Sequence, residues 1–201
     1  MARGSNYCVP FRRKREGKTD YRKRKALIIS GKPRLVVRPS LKNVIAQVII
    51  AEPEGDKVLV SAHSRELEDF GWKAPRGNIP AAYLTGLLCG LRAKSNGVEE
   101  AILDIGLRSP SKGARVFAAL KGFLDAKVEV PHSEEKLPDE KRINGEHIAE
   151  YAKILASNTE SYQLRFSQYL KNEVPPENIA KHFAHVRTSI LAAFKGGGKK
   201  K

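Results

Sequence analysis

The stretch from Asn43 to Ala62, NVIAQVIIAEPEGDKVLVSA, decides the fold class. Val44, Ile45, Val48, Ile49 and Ile50 make its first part β-branched and apolar, a composition that packs on a pleated surface and loses side-chain freedom in a helix. Glu52-Pro53-Glu54-Gly55-Asp56 is a turn cluster, and Lys57 to Ala62 reads as another strand. Toward the N-terminus, Leu35-Val36-Val37-Arg38 is a short strand that ends before Pro39. The three strands form an antiparallel meander built from two hairpins.

In the other direction, a loop from Gly71 to Gly77 leads to Asn78, a helix cap with Pro80 in the first turn, where a missing N–H costs little. Leu84, Leu87, Leu88 and Leu91 recur at helical spacing as one buried stripe. Gly86 and Gly90 are poor helix residues, and their expected use is close approach to the sheet. Ala101 to Gly106 reads as a buried strand. A second helix runs to Asp125 with Val116, Phe117, Leu120, Phe123 and Leu124 on its core face. Val128 to Val130 is a last short strand. The expected fold is therefore α+β: a β-β-β-α-β-α sandwich with helices over one sheet face, a basic N-terminal arm and a C-terminal helical extension.

Four parts follow. Residues 1–34 form a basic extended arm, 35–131 the α+β domain, 132–195 an acidic connector and helical extension, and 196–201 a Gly/Lys tail. Within the extension, helices are expected near 145–157, 160–172 and 176–194. Their stripes are Ile148/Tyr151/Leu155, Tyr162/Phe166/Tyr169 and Ile179/Phe183/Val186/Ile190.

The charge follows the same division. The net charge is +15, and residues 1–34 hold 12 Lys/Arg against 2 Asp/Glu, while 35–194 are almost balanced. A near-neutral body with basic arms suits a protein that threads those arms along phosphate. No apolar run approaches the roughly 18–20 residues of a membrane span. No apolar h-region follows the basic N-terminus, so neither a membrane nor a secretory signal is expected. Cys8 and Cys89 are the only cysteines, too few for a disulfide framework or a cysteine zinc cluster.

Enzyme motifs fail one by one. Gly17-Lys18-Thr19 matches the end of a P-loop, but Arg12 stands where its first glycine is required, and no strand precedes it. His182 and His185 are spaced i, i+3 with no carboxylate at a supporting position, so the metal expectation is none. No nucleophile elbow surrounds the serines. No catalytic residue, cofactor or small-molecule substrate is expected.

The residues that suit RNA are of two kinds. Arg12, Arg13, Lys14, Arg15, Lys18, Arg22, Lys23, Arg24 and Lys25 each offer a cation to phosphate, with Phe11 and Tyr21 interleaved to stack on bases or pack back on the protein. The loop Gly106–Arg115 joins a strand end to a helix start, where backbone N–H groups and the helix dipole favour an anion. Arg108, Lys112 and Arg115 flank that point. Charge explains affinity; selectivity has to come from the fit of the body to an RNA shape.

Several segments resemble archaeal large-subunit ribosomal protein eighteen, whose eukaryotic counterpart is large-subunit protein five. They are VPFRRKREGKTDYRKR (9–24), KPRLVVRPS (32–40), NIPAAYLTGLLCGL (78–91), LDIGL (103–107), GARVFAALKGFLD (113–125), VPHSE (130–134) and RINGEHIA (142–149). The matches are ordered and cover most of 1–150. The resemblance implies a cytoplasmic structural component that binds 5S rRNA and anchors it to the 23S rRNA in the central protuberance. It also implies neighbouring ribosomal proteins, including the other protein that grips 5S rRNA. By carry-over, the contacts would be Phe11 to Lys25 together with Arg34, Arg38, Ser40 and Lys42. A free-standing basic RNA chaperone using the same arm is the competing expectation.

Overall fold

The structure, a computed structural model, describes residues 4–195; the Gly/Lys tail expected at 196–201 lies outside the described residues. Strands β1 (Arg34–Pro39), β2 (Val44–Glu52) and β3 (Gly55–His63) pair antiparallel, and β4 (Ile102–Asp104) joins β1 in parallel. The sheet order is β3-β2-β1-β4. The β-β-β-α-β-α reading holds, with two adjustments. The β2–β3 hairpin is tighter than expected, with Glu52 and Gly55 paired inside the ladder. Val128 to Val130 gives a single parallel bridge, Glu100 to Glu129, and no strand.

Alternation sets two faces on the sheet, interrupted by a bulge at Val48/Ile49. Leu35, Val37, Val44, Ala46, Val48, Val60 and Ala62 turn toward the helices and into the core. Arg34, Val36 and Arg38 turn to the opposite face. The register sets Arg34 across from Ile49 and Ile102, and Val36 across from Gln47 and Asp104.

Helix α3 (Ile79–Ser95) starts as expected: Asn78 Oδ1 accepts the Ala81 N–H at 2.8 Å. It is buried nearly all round, because the sheet and α4 (Arg115–Asp125) cover two sides and the C-terminal helices cover the rest. Here the glycine expectation is corrected. Gly86 and Gly90 face α4, not the sheet: a Cβ on Gly86 would stand 1.9 Å from the Ala119 carbonyl oxygen, and one on Gly90 would stand 2.7 Å from the Ala126 Cβ. Gly122 of α4 answers from the other side, its Cβ position 2.1 Å from the Tyr83 carbonyl oxygen. Only residues without side chains allow two backbones so close.

The extension comprises α5 (Glu140–Asn144), α6 (Glu146–Leu155), α7 (Thr159–Lys171) and α8 (Ile179–Lys195). The helix α5 falls partly inside the region read as a connector, and Gly145, at φ +84°, ends it and opens α6. Ile179, Phe183, Val186 and Ile190 of α8 are buried in the same cluster as the sheet side chains. Tyr83 meets Phe183 with ring centroids 5.5 Å apart.

Candidate nucleic-acid interface

The arm is where the structure departs most from an extended chain. Arg12–Arg15 form a single turn, α1, and Tyr21–Ile29 form α2. Asp20 caps α2, its Oδ1 accepting the N–H groups of Arg22 at 3.0 Å and Lys23 at 3.2 Å. Such a cap stabilises by about 1 kcal/mol. Against the helix stand one like-charge i, i+3 pair, Arg22 with Lys25, at about 0.2–0.5 kcal/mol, and the helix dipole acting on the first-turn cations. Repulsion alone is too small to keep the segment open. Phe11 and Tyr21 meet at 5.2 Å between centroids and so tie α1 to α2. Phe11 still keeps 72% of its surface exposed.

Arg24 anchors the arm to the sheet. Its Nη1 and Nη2 donate to the two Asp56 carboxylate oxygens at 2.8 and 2.7 Å, a bidentate pair. Arg34 stands behind it, 3% exposed, with Nη1 2.9 Å from Asp104 and Nη2 3.0 Å from Asp56. The Arg24 hydrogen bonds hold the Asp56 carboxyl below the usual carboxylate range, with Arg34 adding to this against partial burial. The same bond raises Arg24 above its ordinary value.

Among the expected contacts Arg34 is the buried one. Its guanidinium is buried between two carboxylates and faces no solvent. Arg24 is engaged at the joint rather than free. Arg12 and Lys18 lie beside Glu16, at 3.7 and 2.9 Å, and Arg13 Nε donates to the Thr19 hydroxyl at 2.9 Å. Lys14, Arg15, Arg22, Lys23 and Lys25 are exposed and make no ion pair among the described residues.

At the far end of β1, two expected groups come together. Arg108 donates to the Pro39 carbonyl. Arg115 Nη1 donates to the carbonyls of Ser40 at 2.6 Å and Gly77 at 2.9 Å. These arginines pin the β1–β2 turn, with N–H groups left over on each fork. The Ser40 hydroxyl closes that turn by donating to the Asn43 carbonyl at 2.9 Å and accepting the Asn43 N–H at 3.0 Å. Arg38 donates to Gln47 Oε1 at 2.5 Å across the open face. Lys42 and Lys112 are exposed. Ala114 leaves the N-terminus of α4 without a side-chain cap.

The residues missed in the sequence are acids: Asp20, Asp56 and Asp104. Asp20 was readable as a cap directly before a run of helix-tolerant residues. Asp56 and Asp104 gave no signal, since their partners lie 32 and 70 residues away. His182 is half-buried. It stacks on Trp72 at 5.1 Å and accepts the Lys73 N–H at 3.0 Å. No group of three or more potential metal-ligating side chains occurs among the described residues, and no described helix is long and apolar enough to cross a membrane.

A family model described as "Ribosomal large subunit proteins 60S L5, and 50S L18" matches residues 5–100 and 93–133. The chain belongs to this family. It is a large-subunit ribosomal protein of an rRNA-binding, structural kind. The matched span takes in the arm, all four strands, α3 and α4, and stops before α5–α8.

Proposed function

We propose that the chain binds 5S rRNA and anchors it to 23S rRNA in the central protuberance of the large subunit, as a structural part of cytoplasmic ribosomes and not as an enzyme. The observation that carries this reading is the arm. Five exposed cations, without an ion pair among the described residues, stand on two short helices that Arg24 fixes to Asp56 at the start of β3. Phosphate contacts from the arm supply affinity. Arg38, Lys42 and Lys112, with the remaining N–H groups of Arg108 and Arg115, extend the surface to the other end of β1. Fixed spacing between these two ends gives the shape selectivity that a flexible basic tail lacks. Other large-subunit proteins, including the second 5S-binding one, are the expected neighbours.

Replacing Arg12, Arg13 and Arg15 together by Ala tests the arm. The slope of log affinity for 5S rRNA against log salt is expected to shallow by about 2–3, near 0.9 for each phosphate no longer neutralised. An unchanged slope removes α1 from the interface.

A further inference from the structure

A groove of about 860 Å³ lies beside the β1–β2 turn, between Leu41 and Lys42, the loop from Trp72 to Asn78, and the last turn of α7. That size is within the roughly 300–1,000 Å³ of sites that hold ligands. Its walls come from segments far apart in sequence, and each is fixed. Asn172 Nδ2 donates to the Lys73 carbonyl at 2.6 Å, while the Lys73 N–H donates to His182 Nε2 at 3.0 Å. Arg115 bridges Ser40 and Gly77. A Cβ on Gly77 would lie 2.5 Å from the Leu41 carbonyl oxygen, so the turn rests directly on this glycine.

The lining chemistry selects the ligand. Lys42, Lys73, Arg76 and Lys171 line the groove; Glu68 is the one carboxylate among its lining residues and is paired with Arg76 at 2.5 Å. Its aromatic residues, Trp72 at 1% and Tyr169 at 7% exposure, are buried, so no ring is offered to a base. Three lysines around a rigid backbone suit phosphodiester groups without base readout. Lys42 belongs both to this groove and to the β1 end of the RNA surface, which makes the two continuous.

We propose that the groove holds backbone phosphates of the same RNA that the arm binds, which makes the C-terminal extension a working part of the interface. This rests on the 5S rRNA reading above and extends it to α7 and the Trp72–Asn78 loop. An acidic protein segment would meet the same cations, but on the 5S rRNA reading it is the RNA that runs along the surface Lys42 shares.

The test uses the full chain, transcribed 5S rRNA, the double variant Lys73→Gln/Lys171→Gln and the arm variant R12A/R13A/R15A. Both lysines are exposed, and the double variant is expected to keep the wild-type melting temperature. Its salt slope should shallow by about 2. Across 50–200 mM salt it should lose roughly tenfold less affinity than wild type. In hydroxyl-radical footprints it should lose one discrete set of protections while retaining those that the arm variant loses. Unchanged slope and footprint in the double variant, with the arm variant impaired, overturns the groove proposal alone. Absence of 5S binding by the wild-type chain overturns the RNA reading together with it.

Discussion

Replacing Gly86 by Ala is the sharpest probe of how α3 and α4 support the sheet. On helix propensity alone the change is favourable by about 1 kcal/mol, because Gly86 lies inside a regular helix. Geometry opposes it. The new Cβ would stand 1.9 Å from the Ala119 carbonyl oxygen, where contacts under 3.0 Å are essentially never seen, so the helices must part by about 1 Å. The obstacle is main chain and cannot rotate away, which places the cost at or above the upper end of the ~1–3 kcal/mol typical of overpacking. The net loss is about 2 kcal/mol, or a melting temperature lower by roughly 4–8 °C for a chain of this size. Thermal unfolding followed by circular dichroism reads it directly. Gly90→Ala meets the Ala126 Cβ at 2.7 Å and the Phe123 carbonyl oxygen at 3.0 Å, and is expected to lose less. A Gly86→Ala protein as stable as wild type would refute the close-packed helix pair.

Two further outcomes concern the polar joints. Asp56→Ala removes the Arg24 tether and one of the two carboxylates beside Arg34, and should cost about 1–2 kcal/mol in urea unfolding near neutral pH. Because the folded state holds the Asp56 carboxyl low, its contribution is complete above about pH 4 and fades as pH falls further, so the wild-type and variant curves should converge in acid. Curves that stay parallel would show that the joint does not titrate through Asp56. His182 is held below the ordinary histidine range by burial, with His185 and Lys73 adding to it. The unfolded chain then takes up the proton first, so this site's stability is present above about pH 6.5 and is lost as pH falls toward the lower folded value. Wild type should therefore lose more melting temperature than His182→Gln between pH 7.5 and 5.5; equal losses would contradict the Trp72–His182 contact.

Much of the fold was legible because its signals are local. The β-branched runs before and after the Glu52–Asp56 turn, the Asn78 cap and the Leu84/Leu87/Leu88 stripe each determine their own element within a few residues. What escaped depends on distance. Nothing beside Gly86 says whether a helix or a sheet approaches it. Arg34 reads like its arm neighbours until Asp56 and Asp104 close around it. Arg108 and Arg115 read as cations near a helix start, but only the folded chain reveals that they hold the β1–β2 turn in place. The arm misleads for a different reason. Like charge dominates its composition, while the Asp20 cap and the Arg24–Asp56 pair outweigh that charge once the chain has folded. Lys73 and Lys171 share a groove only because α7 and α8 fold back over the Trp72 loop.

An arm held at a fixed position on the sheet should recognise 5S rRNA by its shape. Titration of the purified chain with 5S rRNA and with a size-matched tRNA, at about 50 and 200 mM salt, tests it most directly. Both affinities are expected to fall with salt while a strong preference for 5S rRNA persists at the higher concentration. Equal binding of the two RNAs, collapsing together as salt rises, would contradict this and leave a basic chaperone arm in its place.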